Sequence, residues 1–197
     1  MSSLVSEVKV ANLALTDLGA DRIMDLNEDS VNARKVKAMF DLVRDSVLRS
    51  HPWNFAIQRL SFNKTPNIPV YDYESEFQIP GNVIRILTPE DSYVKWVQEG
   101  DKILCNDSSF KCRCIIRVTD PTRWDEIFVT TFAARLAAEL AYSITNSRPI
   151  ASDKWELYFA KFRMATGVDA QVGTPEELRV DEWLDSRIGG SSVPRAS

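Results

Sequence analysis

The chain is 197 residues long, 44% hydrophobic and 26% charged, which is enough apolar side chain for a real core and excludes a disordered or fibrous class. Its formal net charge of -4 and pI near 5.2 argue against a protein that grips nucleic acid through a broad basic face, while allowing a surface that DNA slides past without sticking. The odd count of three cysteines, Cys105, Cys112 and Cys114, fits no secreted disulfide framework and suits synthesis in a reducing cytoplasm.

The residue spacing predicts a first helix over Leu4–Leu18, with Val8, Ala11, Leu15 and Leu18 on one stripe and Gly19 as the stop. Asp29 or Ser30 is positioned to cap a second helix. In that helix Ala33, Val36, Phe40, Val43 and Val47 recur three and four apart, with Arg34, Lys37, Asp41, Arg44 and Asp45 on the other side. It ends at His51-Pro52, because proline disfavours helical geometry in the residue before it. From Trp53 to Val118 the period changes to that of short strands: Phe55–Phe62, Glu76–Ile79, Val83–Leu87, Tyr93–Val97, Lys102–Cys105 and Phe110–Val118, separated by turn-forming residues. In the last of these, Cys112, Cys114, Ile116 and Val118 form the face to be buried, and Lys111, Arg113, Ile115 and Arg117 a mostly wet one. Helix resumes after Asp120-Pro121-Thr122, with Asp120 or Thr122 as the cap, and is apolar enough to be packed on more than one side. Asn146-Ser147-Arg148-Pro149 closes it, and Ser152 opens a helix carrying Trp155, Tyr158, Phe159 and Phe162. Thr174-Pro175-Glu176-Glu177 predicts a last helix start, followed by a flexible tail from Gly189.

The expected class is therefore α+β. A mainly helical bundle (1–52 and 119–172, discontinuous) receives a small antiparallel β section (53–118), and a C-terminal helix and tail (173–197) follow. No stretch reads as a membrane span, since the most apolar runs are short or carry Arg85, Arg135 and Glu139, and Glu7 and Lys9 interrupt the start where a signal peptide needs an apolar run.

Residues able to do chemistry are sparse. The single histidine, His51, reads as a helix-end residue favoured by the negative end of the dipole. Cys112 and Cys114 share a strand face and read as core filler, short of the four ligands a structural zinc site needs. Paired acids, Glu74 with Glu76 or Glu99 with Asp101, are the raw material of glycoside hydrolysis but lie in turn-like segments where acids are usually solvated. No glycine-rich phosphate loop is present. Two sets suggest partner contacts instead: Lys111, Arg113 and Arg117 along one strand face, and Trp183, Leu184 and Arg187 in a charged late segment, Trp183 being a plausible aromatic anchor.

Several stretches, taken in order, resemble one family. They are Asn12-Leu13-Ala14-Leu15 with Leu18-Gly19; Asn32-Ala33-Arg34; His51-Pro52-Trp53-Asn54-Phe55-Ala56; Phe77-Gln78-Ile79-Pro80 followed by Val83-Ile84-Arg85-Ile86; Asp120-Pro121-Thr122-Arg123-Trp124-Asp125; and Ala137-Ala138-Glu139-Leu140-Ala141 with Ile144-Thr145-Asn146-Ser147. Spanning Asn12 to about Ala170, the chain resembles the tail tubular protein A, or head-to-tail adaptor, family of short-tailed bacteriophages. It departs from that pattern at Ile79-Pro80-Gly81-Asn82, where a Leu-Pro-acidic turn is commoner, and at Cys114, where a tyrosine is expected. The resemblance implies a structural virion protein without cofactor or catalytic residues, assembled in the host cytoplasm into a homo-oligomeric, dodecameric ring. That ring would sit between the portal protein and the tail nozzle, with tail fibres as a further partner, no membrane contact, and double-stranded DNA passing through unbound. The alternative is a tail-associated glycan-degrading enzyme using paired carboxylates.

Overall fold

The computed structural model describes residues 5–172. Helix α1 (Glu7–Asp17) starts at Ser6, whose hydroxyl accepts from Lys9 N at 3.2 Å, and ends before Gly19, whose φ of +68° is a left-handed position that glycine occupies without strain. The connection that follows is clasped by Asn12. Its side chain accepts from Ile23 N and donates to Ile23 O, both at 2.8 Å, and Ile23 is seated in the core. Ser30 caps α2 (Val31–Ser50) through Ala33 N at 3.1 Å, and Ala33, Val36, Phe40, Val43 and Val47 are all buried as their spacing predicts. Arg44 departs from its expected wet side. It is 4% exposed, its guanidinium held between Asp41 (2.7 Å) and Asp45 (2.9 Å), so its charge is paired as its stem packs.

Six strands follow: β1 (Ile57–Lys64), β2 (Ser75–Gln78), β3 (Val83–Pro89), β4 (Trp96–Glu99), β5 (Lys102–Cys105) and β6 (Phe110–Ile116). They form one antiparallel sheet in the order β3-β6-β1-β2-β5-β4, curled into a half-barrel. The strand expected from Tyr93 begins only at Trp96, because the Asp91 carboxylate takes Tyr93 N at 2.9 Å and holds that segment in a turn. On the concave face, Phe62, Phe77, Ile103, Phe110, Cys112 and Cys114 make a core of their own. On the convex face Ile115, expected to be on the wetter side, is fully buried, since that end of the sheet lies against the helices.

The return to helix is made in two steps. Asp120 caps a short 3-10 turn over Pro121–Arg123, and Asp125, not Asp120 or Thr122, caps α3 (Glu126–Thr145) through Ile127 N at 2.9 Å. By length and composition α3 could cross a membrane, but 61% of that stretch is buried in the fold. Its Arg135 lies over the Trp155 ring at 4.3 Å and pairs with Glu139 at 2.8 Å. Asn146, in the left-handed region at φ +52°, ends α3. Helix α4 (Arg148–Val172) starts before the expected Ser152, because Pro149 sits in its first turn, where the missing N–H costs nothing.

The main core joins α1, α2, α3 and α4 to Ala56, Ile115, Ile116 and Val118 at the root of the sheet. Over the described residues the fold is thus mixed α/β, four helices and a six-stranded half-barrel with its own apolar interior, and a mainly helical bundle describes it only loosely. Two tryptophans mark the crossings between layers. Trp53 donates its indole N–H to Val47 O and Trp124 donates to Val118 O, both at 2.9 Å, and both rings pack edge-on against Phe128.

Candidate functional site

A hollow of about 510 Å³ lies on the convex side of the sheet where the helices no longer cover it, and is lined by β1, β6 and the end of β3. Alternation puts Arg59 and Ser61 on the outward side of β1. The register sets Arg59 opposite Arg113 and Ser61 opposite Lys111, with Thr88 of β3 on the other flank of Arg113. Lys111 meets Glu90 at 3.1 Å, with both side chains more than half exposed. The lining is positive: Arg59, Lys111 and Arg113 among hydroxyls and one carboxylate. Lys111 and Arg113 therefore stand together as the sequence suggests. Arg59 completes the set and was missed, because a single exposed arginine in a strand announces nothing until the register is known. Arg117 is not part of it: its guanidinium meets Asp45 of α2 at 2.7 Å and Gly81 O at 3.1 Å, fastening the sheet to the helices. The expected partner residues Trp183, Leu184 and Arg187 lie outside the described residues.

The other candidates resolve into structural groups. His51 Nε2 and Asp169 Oδ2 are 2.9 Å apart, Asn54 Nδ2 donates to Asp169 O at 2.7 Å, and the His51 ring stands edge-on to Trp53. This cluster ties α4 to the α2–β1 junction, a role beyond the helix-end position read from sequence. Cys112 and Cys114 face each other at 3.1 Å inside the curled sheet. The hydrogen bond between them and burial keep the Cys112 thiol protonated well above the usual range, while its S–H lowers Cys114, and burial pushes Cys105 up. Among the described residues, no three His, Cys, Asp or Glu side chains stand together as a metal site.

Glu76 is not the solvated turn acid expected. It is 8% exposed on β2, and the Thr65 hydroxyl (2.7 Å) and the Lys102 ammonium (3.0 Å) hold its carboxyl below the ordinary 4.5. It shares a hollow of about 340 Å³ with Glu99, Tyr71 and Tyr73. Asp101 is turned away to accept from Gln78 Nε2 at 2.9 Å, and Glu74 N is bonded to Asn106 Oδ1. The pairings expected along the sequence, Glu74 with Glu76 and Glu99 with Asp101, are thus not the pairing in space.

Two apolar surfaces have no cover among the described residues. At the sheet end remote from the helices, the connections 65–74 and 90–95 carry Ile68, Val70, Tyr71 and Tyr93, of which Val70 is 96% exposed. Along α4, Ile150, Leu157, Met164, Val168 and Val172 fall on one stripe beside the buried line of Tyr158, Ala165 and Asp169. No protein-family model matches the chain, and no curated protein matches it.

Proposed function

We propose that the chain is a structural subunit of a phage tail, a head-to-tail adaptor that packs side by side into a ring between portal and nozzle and leaves a channel for DNA. The ordered resemblance along the sequence suggests the family. The observation that carries the reading is the pair of separate, uncovered apolar surfaces, the α4 stripe and the remote sheet end. A subunit of a ring needs contacts with like neighbours at its sides and with different proteins at its ends, and contiguous exposed apolar area marks such contacts. The role is mechanical, with no bond made or broken and no cofactor required. The acidic balance of -4 suits a channel wall that DNA passes without binding.

The test is to mix the purified chain with its cognate portal protein and image the product by negative stain. A ring seated on the portal is expected, and its loss in Met164→Asp/Val168→Asp is expected with the fold intact by circular dichroism. A chain that stays monomeric and unbound beside the portal overturns the reading.

One observation favours a second reading, a glycan hydrolase: Glu76 and Glu99 in one hollow with two tyrosines. Glu76, held as a carboxylate, suits the nucleophile or base, and Glu99 is the second carboxyl of the pair. Release of reducing sugar from host-envelope glycan by the native chain, abolished in Glu99→Gln, would favour it over the adaptor.

A further inference from the structure

The basic hollow is built at a cost. Arg59 and Arg113 stand directly opposite on adjacent strands, an arrangement in which like charges repel, and Lys111 lies one step along on the same face. None of the three supports the core, since the inward residues of these strands, Leu60, Phe62, Cys112 and Cys114, do that. With three cations around one carboxylate, Glu90, the hollow is a locally positive concavity on a net-acidic chain and favours an anionic segment.

The chain supplies one. Beyond the described residues, Glu176–Asp185 holds five carboxylates (Glu176, Glu177, Asp181, Glu182 and Asp185) against one cation, Arg179, and no other ten-residue stretch is as acidic. Its point of departure is fixed nearby: Asp169, three residues before the end of α4, is hydrogen-bonded through its carbonyl to Asn54, and Arg59 lies five residues further along β1. From Val172 to Asp181 an extended chain reaches roughly 30 Å, against at most about 18 Å from Asn54 to Arg59. A tethered segment also acts at an effective concentration near the millimolar range, so carboxylate pairs too weak to hold a free peptide suffice. Duplex DNA, by contrast, must approach a net-negative protein and finds only three cations.

We propose that Arg59, Lys111 and Arg113 form the docking site for the chain's own acidic segment Glu176–Asp185. The inference goes beyond the adaptor reading and holds whether or not the chain forms a ring.

Carbodiimide coupling of the full chain at low concentration tests it, because the reagent joins an ammonium to a carboxylate in contact and adds no spacer. The expected product is a monomer in which the Lys111 peptide is linked to a peptide from Glu176–Asp185. Its yield should fall roughly fivefold in Arg59→Glu, the loss expected from reversing one exposed ion pair. It should fall similarly for the native chain in ~1 M salt, where the screening length is about 3 Å, so the result does not depend on the variant folding. Coupling of Lys111 to Glu90 alone overturns the proposal. Links found only in dimers assign the site to a second copy. Salt-sensitive binding of duplex DNA by the native chain, lost in Arg59→Glu, assigns it to phosphate.

Discussion

Replacing Trp53 by phenylalanine should weaken the whole fold. Trp53 is fully buried and its N–H satisfies Val47 O at the end of α2. Phenylalanine removes that bond and leaves the Ser50 hydroxyl (2.8 Å) as a remaining donor to Val47 O, so the loss is that of one hydrogen bond, ~0.5–1.5 kcal/mol. The smaller ring leaves a void of roughly 40 Å³, which at about 24 cal/mol per Å³ adds ~1 kcal/mol. A loss of ~1.5–2.5 kcal/mol is a sizeable part of the 5–15 kcal/mol of a typical domain, and lowers Tm by roughly 3–10 °C at this length. Trp124→Phe removes the matching bond to Val118 O and should cost about the same by the same accounting. Both rings touch Phe128, at 5.3 and 5.7 Å between centroids, so the double variant should depart from additivity by at least ~0.5 kcal/mol. Urea denaturation followed by far-ultraviolet circular dichroism measures all three. Losses below ~1 kcal/mol for both single variants, or strict additivity in the double, would refute the view that the two crossings share one cluster.

Other outcomes follow from the same geometry. Asp169→Ala removes the partner of His51 and of Asn54 N, and should speed amide hydrogen exchange in the second half of α4 while sparing α3. Glu76 has a folded pKa below its ordinary 4.5, so its contribution is present above about pH 4.5 and is lost as pH falls through the folded value. Glu28 and Asp120 are shifted in the same direction, so Glu76→Gln should remove part, not all, of the acid sensitivity measured by denaturation between pH 5 and 3. All three thiols are buried, and an aromatic disulfide reagent should titrate none promptly in the native protein and three in denaturant. Prompt labelling of Cys112 or Cys114 would contradict the closed sheet interior.

Much of the architecture was legible because period and punctuation agreed. In α2, Ala33 to Val47 follow a helical spacing that only burial explains, and Lys102–Cys105 lies between turn residues that leave it no other length. What escaped reading was settled by partners that only the folded chain brings together. Arg44 looks like a surface residue until the folded helix brings Asp41 and Asp45 around it. Glu76 looks solvated until β5 places Lys102 beside it. Arg59 joins the basic hollow only through the β1–β6 register, which depends on how far each strand extends before turning. The His51–Asp169 contact spans more than a hundred residues and left no local trace.

The pairing of Ile57 with Ile115 bears on how the chain folds. The helical layer draws its two halves from opposite sides of a detour of roughly sixty residues, and closing so long a loop is an entropic obstacle that grows by about 0.6 kcal/mol per doubling of length. Once β1 and β6 zip together, the first and last residues of the detour are neighbours, and the effective loop between α2 and α3 shrinks from about seventy-five residues to fewer than about twenty, a saving of ~1 kcal/mol. The half-barrel, contiguous in sequence and with its own apolar interior, is suited to forming early and presenting the two helix pairs to each other. Lesions in its aromatic interior, at Phe77 or Phe110, would then slow the collapse of helices they never touch.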